Sequence, residues 1–266
     1  IAKIEKPQAV SNLVEIVETF DGIMVARGDL GVEMPIEEVP LVQKRCIELA
    51  RANAKPVIVA TQMLDSMITN SRPTRAESTD CANAVLDGAD ALMLSGETSV
   101  GAFAIEAVQT MARIIERTEE ELLDRIPPLR TAPKSKGGAI TRAASEVGHI
   151  VEAKLLITFT QSGDSARRMS RLRSEIPMIA ITPEHHVFNQ LALSWGVQPM
   201  ISELVSTTDE MVRQADKIVL RHNLAEKGNL VVIVAGSPPG IPGSINAMRV
   251  HKVGDAVDGV VAAYRK

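Results

Sequence analysis

Aromatic side chains are scarce in this chain of 266 residues, since Phe, Trp and Tyr together make up only 2% of it. So few rings leave little surface on which nucleic-acid bases could stack. The 29 basic residues are slightly outnumbered by 33 acidic ones, which gives a net charge of −4 and no broad cationic surface. Both shortages argue against a protein that binds nucleic acid.

Cysteine, histidine and long apolar runs are also in short supply. The two cysteines, Cys46 and Cys81, lie in helical patterns and have no CxxC partner. The sequence therefore predicts buried free thiols, and neither a disulfide framework nor a zinc site. All five histidines follow Gly148, which excludes a histidine-based mechanism in the first half. Because no apolar run approaches the ~20 residues that span a bilayer, we expect a cytoplasmic protein without membrane contacts.

The first residues lack an initiator Met. The chain begins Ile1-Ala2-Lys3-Ile4-Glu5, in an apolar pattern typical of a strand. We therefore expect it to be the C-terminal portion of a longer protein.

The first half repeats a unit of short apolar strand, polar turn and amphipathic helix. Strands are predicted at residues 1–4, 23–26, 57–60 and 91–94. One helix is predicted from Pro40 to Ala54 with Leu41, Cys46, Leu49 and Ala50 facing inward, and another after the capping box Thr74 to Glu77. Four successive units favour half of a (β/α)8 barrel over a dinucleotide-binding sheet, since no GxGxxG turn follows the first strand.

A boundary between domains is predicted where the pattern dissolves into Pro, Lys and Gly. We assign residues 1–125 to the C-terminal half of a TIM-barrel domain, 126–138 to a linker and 139–266 to a smaller α/β domain. Strands of the second domain are predicted at 155–159, 178–181, 230–235 and 247–253. The predicted fold class is thus α/β, the second half of a (β/α)8 TIM barrel followed by a smaller α/β C-terminal domain.

Polar residues of complementary chemistry follow the first three predicted strands. Lys3 and Glu5 are two apart and leave the same face of a strand. Asp29 follows the second strand, and strand ends converge in a barrel, so the two carboxylates and the ammonium predict a Mg²⁺ site. Lys3 could stabilise a transferring phosphoryl group or an enolate. Gly28 and Thr61 could hold the substrate, although each residue alone also fits an ion pair or a turn.

Five segments in order resemble pyruvate kinases: residues 1–5, 22–33, 60–67, 72–77 and 93–98. The resemblance implies that Lys3 stabilises the phosphoryl-transfer transition state. It implies that Glu5 and Asp29 bind Mg²⁺ (or Mn²⁺). Gly28, Asp29 and Thr61 would hold phosphoenolpyruvate, with Thr61 also catalytic near the carbon that is protonated.

The reaction implied by this resemblance is glycolytic. It transfers the phosphoryl group of phosphoenolpyruvate to ADP and gives ATP and an enolate, which is protonated to pyruvate. The family also uses K⁺ and assembles as homotetramers. Since its K⁺ ligands and most of its nucleotide contacts precede the position of Ile1, we expect this chain alone to be inactive.

The segment Thr160 to Ser165 joins a predicted strand to a helix, a geometry that suits phosphate. The resemblance implies that Thr160, Ser162, Gly163 and Ser165 bind a phosphorylated allosteric effector, together with a loop at residues 239–244. Asp164 would repel phosphate. Compensating charge could come from Arg167, Arg168, Arg171 and Arg173, which could equally form a solvated helix face or a subunit contact.

Two other functions remain open. The lysine and metal ligands would also serve a Mg²⁺-dependent lyase or aldolase that acts through a pyruvate enolate. The chain could instead be a non-catalytic effector-binding or assembly fragment. Turnover of phosphoenolpyruvate with ADP would separate the first from a kinase. Thermal shifts with sugar phosphates or nucleotides, but not with Mg²⁺ and phosphoenolpyruvate, would favour the second.

Overall fold

A computed structural model describes residues 1–129, 132–237, 239, 241 and 243–256. The chain divides into two compact units, residues 1–130 and 131–266. The finer limits predicted from the sequence, at residues 125 and 139, stay a prediction. Within the described ranges, no helix has the length and apolarity that crossing a membrane would require.

The first unit is built on a sheet of four parallel strands in sequential order. They are β1 (Ala2–Ile4), β2 (Ile23–Ala26), β3 (Val57–Ala60) and β4 (Ala91–Met93). Lys3 is in register with Met24, and Met24 with Ile58. β3 is buried at every position, as expected for a strand covered on both faces. Parallel strands in sequential order place all their C-terminal ends on one edge, where polar residues follow each strand.

Helices follow every strand of this sheet. After β1 come α1 (Pro7–Ser11) and α2 (Leu13–Thr19), and after β2 come α3 (Arg27–Glu33), a 3-10 turn (Ile36–Glu38) and α4 (Val39–Ala52). β3 is followed by a 3-10 turn (Asp65–Ile68) and α5 (Arg75–Asp87). α6 (Gly96–Ser99), α7 (Ala104–Leu122) and a last 3-10 turn (Leu123–Arg125) follow β4.

The predicted boundaries of α5 are confirmed in atomic detail. The Thr74 hydroxyl accepts a hydrogen bond from the Glu77 N–H, and the Glu77 carboxylate accepts one from the Thr74 N–H. The helix ends at Gly88, whose φ of +97° is the left-handed conformation that glycine adopts without strain. Both cysteines are free and buried, as predicted. Burial raises the pKa of each thiol to about 12, so neither ionises near neutral pH.

The predicted order of strand, polar turn and helix does not hold after β2, because α3 begins directly at Arg27. One prediction for α4 was wrong. Leu41 was expected to face the core and is 66% exposed, whereas Cys46 and Ala50 are fully buried. The buried face of α4 runs through Val42 instead. One residue rotates a helical position by about 100°, which is enough to turn Leu41 into solvent.

The second unit holds five strands in the order β7-β6-β5-β8-β9. These are β5 (Leu155–Phe159), β6 (Met178–Thr182), β7 (Val197–Ile201), β8 (Leu230–Gly236) and β9 (Ile245–Lys252). Its helices are α8 (Lys136–Ile150), α9 (Asp164–Ser170), α10 (His185–Leu191) and α11 (Thr208–Arg221). β9 is antiparallel to β8, while the other pairs are parallel.

β7 was not predicted, because Pro199 interrupts a short stretch, Val197–Ile201, in which no residue is buried. Pro is tolerated on an edge strand, whose outer side makes no ladder hydrogen bonds, and β7 occupies the edge of the sheet. β5 lies between β6 and β8, so the chain order reverses there. In open α/β sheets such a switch point opens a crevice at the C-terminal strand ends. A cavity lies there, lined by residues that include Thr160, Ser162 and Ser244.

Candidate active site

Three charged side chains meet beyond the C-terminal ends of β1 and β2. The Lys3 ammonium Nζ lies 2.7 Å from Glu5 Oε2 and 2.9 Å from Asp29 Oδ2. The side chains of Lys3 and Asp29 are each 52% exposed and that of Glu5 is 36% exposed, so the cluster is open to solvent. Hydrogen bonds to Glu5 and then Asp29 raise the pKa of Lys3, which keeps it cationic well beyond neutral pH.

Local sequence explains how these groups come together. Ile4 is completely buried between Lys3 and Glu5, so strand alternation turns the two charged residues to the other side. Asp29 lies in the first turn of α3, where a carboxylate also interacts favourably with the helix dipole. The structure thus brings Lys3, Glu5 and Asp29 together, as the spacing predicted. Their roles are a separate question.

The two carboxylates form a donor set that fits a hard divalent cation. Both lie within 3 Å of a single ammonium nitrogen, so a positive charge already occupies the point on which they converge. Mg²⁺ typically takes one or two protein carboxylates and keeps its other positions for water and substrate oxygens. Among the described residues, no group of three or more His, Cys, Asp or Glu side chains could hold a metal. A cation bound here would therefore have open coordination positions.

Thr61 follows β3 in an unusual conformation. Its φ is +69° and that of Gln62 is +53°, two consecutive left-handed residues that are not glycine. Each such residue costs about 1–3 kcal/mol, which contacts with its surroundings must offset. The turn aims the Thr61 hydroxyl at α3, where Oγ1 accepts a hydrogen bond from the Gly28 N–H at 2.7 Å. The same hydroxyl donates to the Ala60 carbonyl, also at 2.7 Å.

This close approach favours glycine at position 28. A Cβ on Gly28 would lie 3.2 Å from Thr61 Oγ1, a tight contact that would push the two groups apart by a few tenths of an ångström. The sequence predicted a substrate contact at Gly28, and in this structure its N–H donates to Thr61. Glycine here lets α3 and the turn after β3 touch, and the Thr61 hydroxyl contacts the residue that precedes Asp29.

Arg27 was given no function from the sequence, yet it has the densest contacts of the site. Its side chain is only 11% exposed. Nη1 lies 2.6 Å from Asp80 Oδ2, and Nη2 donates to the carbonyls of Thr61 at 3.0 Å and Gln62 at 3.1 Å. No sequence period could reveal these contacts, because the partners are 34 to 53 residues away.

Glu97 is a second residue whose position the sequence did not reveal. It is 2% exposed and lies in α6, just beyond β4. Its carboxylate accepts hydrogen bonds from the Leu64 N–H at 3.0 Å and the Ser95 N–H at 2.8 Å. Glu97 therefore ties the segment after β3 to the segment after β4.

The loop after β5 in the second unit satisfies its own polar groups. Thr160 Oγ1 accepts from the Gly163 N–H at 2.9 Å, and the Ser165 hydroxyl donates to the Phe159 carbonyl at 3.4 Å. Gly163 has a φ of +79° and is buried, while Ser162 is exposed. Part of the neighbouring loop predicted at 239–244 lies outside the described residues.

The arginines that follow the β5 loop differ in their contacts and burial. Arg168 Nε bonds the Asp164 carboxylate at 2.6 Å, so the charge that would repel phosphate is paired within α9. Burial and then the neighbouring Arg168 lower the pKa of Arg171. Arg173 is 6% exposed and its guanidinium carbon lies 5.0 Å from the centre of the Trp195 ring. At least Arg173 is thus packed inside the unit and is not part of a solvated helix face.

Comparison with known proteins identifies the family. A family model described as the pyruvate kinase barrel domain matches residues 1–108, and one described as the pyruvate kinase alpha/beta domain matches residues 138–251. The chain is 58% identical over 255 residues to a pyruvate kinase of Mycobacterium tuberculosis and 54% identical to one of Corynebacterium glutamicum. This chain belongs to the pyruvate kinase family.

The matches also show how much of the family's length is present. The similar region covers 96% of this chain and 54% of the mycobacterial relative, so the chain spans about half the length of that relative. A crystal structure of a pyruvate kinase from Cryptosporidium parvum superposes with a TM-score of 0.84 at 38% identity, over 94% of this chain and 50% of that one. The predicted fold class is confirmed as the second half of a (β/α)8 barrel followed by a smaller α/β domain.

Proposed function

We propose that this chain forms the phosphoenolpyruvate and metal side of a pyruvate kinase active site. In the reaction, the phosphoryl group of phosphoenolpyruvate passes to ADP, and the enolate left behind is protonated to pyruvate. The observation that carries this proposal is the convergence of Glu5 and Asp29 on the Lys3 ammonium, within a chain of this family.

Each residue has a distinct part in the proposal. Glu5 and Asp29 hold Mg²⁺ or Mn²⁺, which supplies charge neutralisation on phosphoryl oxygens when it is bound. The Lys3 ammonium lies close enough to the same point to stabilise negative charge that develops on the transferring group. Phosphoenolpyruvate lies against Gly28, Asp29 and Thr61. The Thr61 hydroxyl, already engaged as both donor and acceptor, is the group that lies near the carbon to be protonated.

The remaining parts of the proposal rest on family membership. They are a requirement for K⁺, a homotetramer in the full-length protein, a cytoplasmic location, and a phosphorylated effector near Thr160, Ser162, Gly163 and Ser165. The cavity at the switch point of the second sheet supports the last of these. The pairing of Asp164 with Arg168 removes part of the electrostatic objection to it.

The proposal is tested by turnover in the full-length gene product that contains these residues. With Mg²⁺, K⁺, ADP and phosphoenolpyruvate, we expect pyruvate and ATP to form in equal amounts. If pyruvate forms only by cleavage of a 4-hydroxy-2-oxo acid, with release of the aldehyde, and never from phosphoenolpyruvate with ADP, the enolate-forming lyase is correct instead. If nothing binds except sugar phosphates or nucleotides, the chain is an effector-binding module.

The isolated 266-residue chain provides a second test. A closed barrel of this class has eight strands, and the described residues of the first unit contribute four. We therefore propose that the isolated chain does not turn over phosphoenolpyruvate and ADP. Pyruvate formation by this purified chain would contradict that statement, but it would leave the family assignment unchanged.

A further inference from the structure

We propose that Arg27 is a positioning residue that holds the turn after β3 and so fixes the Thr61 hydroxyl in the site. The inference rests on the proposed function, because it assigns a role in that reaction. It concerns a side chain for which the sequence suggested no part in the chemistry.

The contacts of Arg27 reach the turn and its surroundings at the same time. One guanidinium nitrogen, Nη2, donates to the Thr61 and Gln62 carbonyls and lies 2.8 Å from Met63 Sδ. The other, Nη1, bonds the Asp80 carboxylate of α5 at 2.6 Å and lies 3.4 Å from Gln43 Oε1 of α4. Three segments that are distant in sequence therefore meet on one side chain.

The turn needs such support because its backbone is strained. Thr61 and Gln62 both have positive φ, which side-chain-bearing residues avoid. Their two carbonyls point toward the same nitrogen, and a charge-assisted hydrogen bond to each favours that orientation. If the turn relaxed to ordinary backbone angles, Thr61 Oγ1 would leave the Gly28 N–H.

The chemistry of guanidinium explains why arginine is suited to this position. Its planar group presents several donors in fixed directions, so it can serve two carbonyls and a carboxylate at once. Asp80 fixes the orientation of that plane through Nη1, while Nη2 remains available for the turn. An ammonium on a lysine stem is a point charge and cannot reproduce this geometry, even though it keeps the charge.

Arg27 is also the first residue of α3, directly before Gly28 and two residues before Asp29. Its backbone therefore belongs to the element that carries a proposed substrate contact and a proposed metal ligand. Its side chain supports the turn that carries Thr61, the third proposed substrate contact. Arg27 couples the two halves of the proposed substrate site without itself touching the reacting atoms.

The test uses the full-length protein with Arg27→Lys and Arg27→Ala, and Arg117→Lys as the control. Arg117 is an exposed arginine, 70% accessible, that pairs only with Glu120 and Glu121 among the described contacts of its helix. We expect kcat to fall by about 10²-fold in both Arg27 variants, the scale expected when a reacting group is displaced by about 1 Å. The KM for ADP should change by less than threefold, and Arg117→Lys should match the wild type.

Two further measurements separate positioning from a loss of folding. Added guanidinium ion should restore part of kcat in Arg27→Ala. In Arg27→Lys, the amide proton of Gly28 should exchange faster while the melting temperature stays close to that of the wild type. Should Arg27→Ala fail to fold, Arg27→Lys carries the test.

The inference is overturned if kcat in Arg27→Lys stays within twofold of the wild type, or if kcat falls while Gly28 exchange is unchanged. An inactive wild-type protein would instead contradict the proposed function. In that case the Gly28 exchange measurement would still decide whether Arg27 holds the turn.

Discussion

The acidic side chains of the two units are satisfied in different ways. At the edge of the first sheet, Glu5 and Asp29 share one lysine and remain 36% and 52% exposed. In the second unit, Asp216 of α11 is 1% exposed. It bonds His251 Nε2 at 2.8 Å and accepts the N–H groups of Gly254 and Ala256, both at 3.1 Å. The first pair is open to a ligand, and Asp216 is saturated by the protein.

Exposed and buried carboxylates should therefore have different roles, the first in ligand binding and the second in stability. A carboxylate that meets only an exposed lysine side chain can exchange that partner for a metal or a substrate. A buried carboxylate with three internal partners cannot, and losing it leaves those partners without an acceptor. Asp164 lies between the extremes, since it is 39% exposed and paired with Arg168 of its own helix. Substitutions should therefore affect turnover in the first unit and folding in the second.

The largest expected effect is that of Lys3→Met in the full-length protein. We expect kcat to fall by about 10²–10³-fold, because the variant removes a charge that stabilises the transferring group. Metal affinity should not weaken, since Glu5 and Asp29 lose a competing cation. Steady-state kinetics and Mn²⁺ titration measure the two quantities. Lys6→Met is the matched control, because Lys6 is a nearby lysine that is 60% exposed and pairs with Glu33 at 3.5 Å. Equal losses in both variants would mean that Lys3 has no special role.

Asp216→Ala tests the other side of the comparison. We expect a loss of about 2–4 kcal/mol in the free energy of unfolding, because His251 and two backbone N–H groups lose a buried acceptor. Urea denaturation measures the loss, and amide exchange at Gly254 and Ala256 localises it. Asp209→Ala on the same helix should cost less than about 1 kcal/mol, as expected for an acidic residue in a first turn. If Asp216→Ala is as stable as Asp209→Ala, the buried network contributes nothing.

The smallest expected effect concerns the pH dependence of stability at two capping boxes. One is formed by Thr74 and Glu77 and the other by Thr207 and Glu210. Desolvation, the largest single influence, raises the pKa of Glu77, but hydrogen bonds from Ser66 and Thr74 outweigh it and the net pKa is lowered. Hydrogen bonds from the Ser206 backbone and hydroxyl, and then from Thr207, lower the pKa of Glu210. A lowered pKa contributes stability above the usual glutamate value, and the contribution is lost as the pH falls through the folded-state pKa.

We therefore expect Glu77→Gln and Glu210→Gln each to flatten the acid limb of the stability curve below about pH 4.5, the value of an unperturbed glutamate. Thermal melts between pH 3 and pH 7 measure this slope. Glu116→Gln, in the interior of α7, is the control, because it removes an exposed acidic residue from a helix without removing a cap. A curve for Glu77→Gln that runs parallel to the wild type would contradict the cause assigned to its pKa.

The elements that sequence periodicity predicted well are those whose information is local. The capping box at Thr74 lies within four residues, and the alternation around Ile4 within three, so both could be read directly. The convergence of strand ends follows from the parallel order of the sheet. These rules were enough to expect Lys3, Glu5 and Asp29 at one place, although their roles stay a proposal.

What escaped prediction depends on contacts between distant segments. The side chain of Arg27 has partners 16 to 53 residues away, and the pairing of Asp216 with His251 spans 35 residues. β7 escaped because Pro199 lowers its strand propensity, and only its position at the sheet edge makes it tolerable. The left-handed turn at Thr61 and Gln62 contains no glycine, the residue that usually indicates such a turn in a sequence. Each of these features is set by tertiary structure and not by the local pattern.

The most direct test of the proposed metal site is Mn²⁺ titration of the full-length protein. The titration compares the wild type with Glu5→Gln, Asp29→Asn and Asp164→Asn. We expect Glu5→Gln and Asp29→Asn each to weaken Mn²⁺ binding by at least about tenfold, because each variant removes a carboxylate that would bind the metal. Asp164→Asn should bind as the wild type does. Unchanged affinity in both Glu5→Gln and Asp29→Asn would contradict the claim that the open acidic pair of the first unit is the metal site.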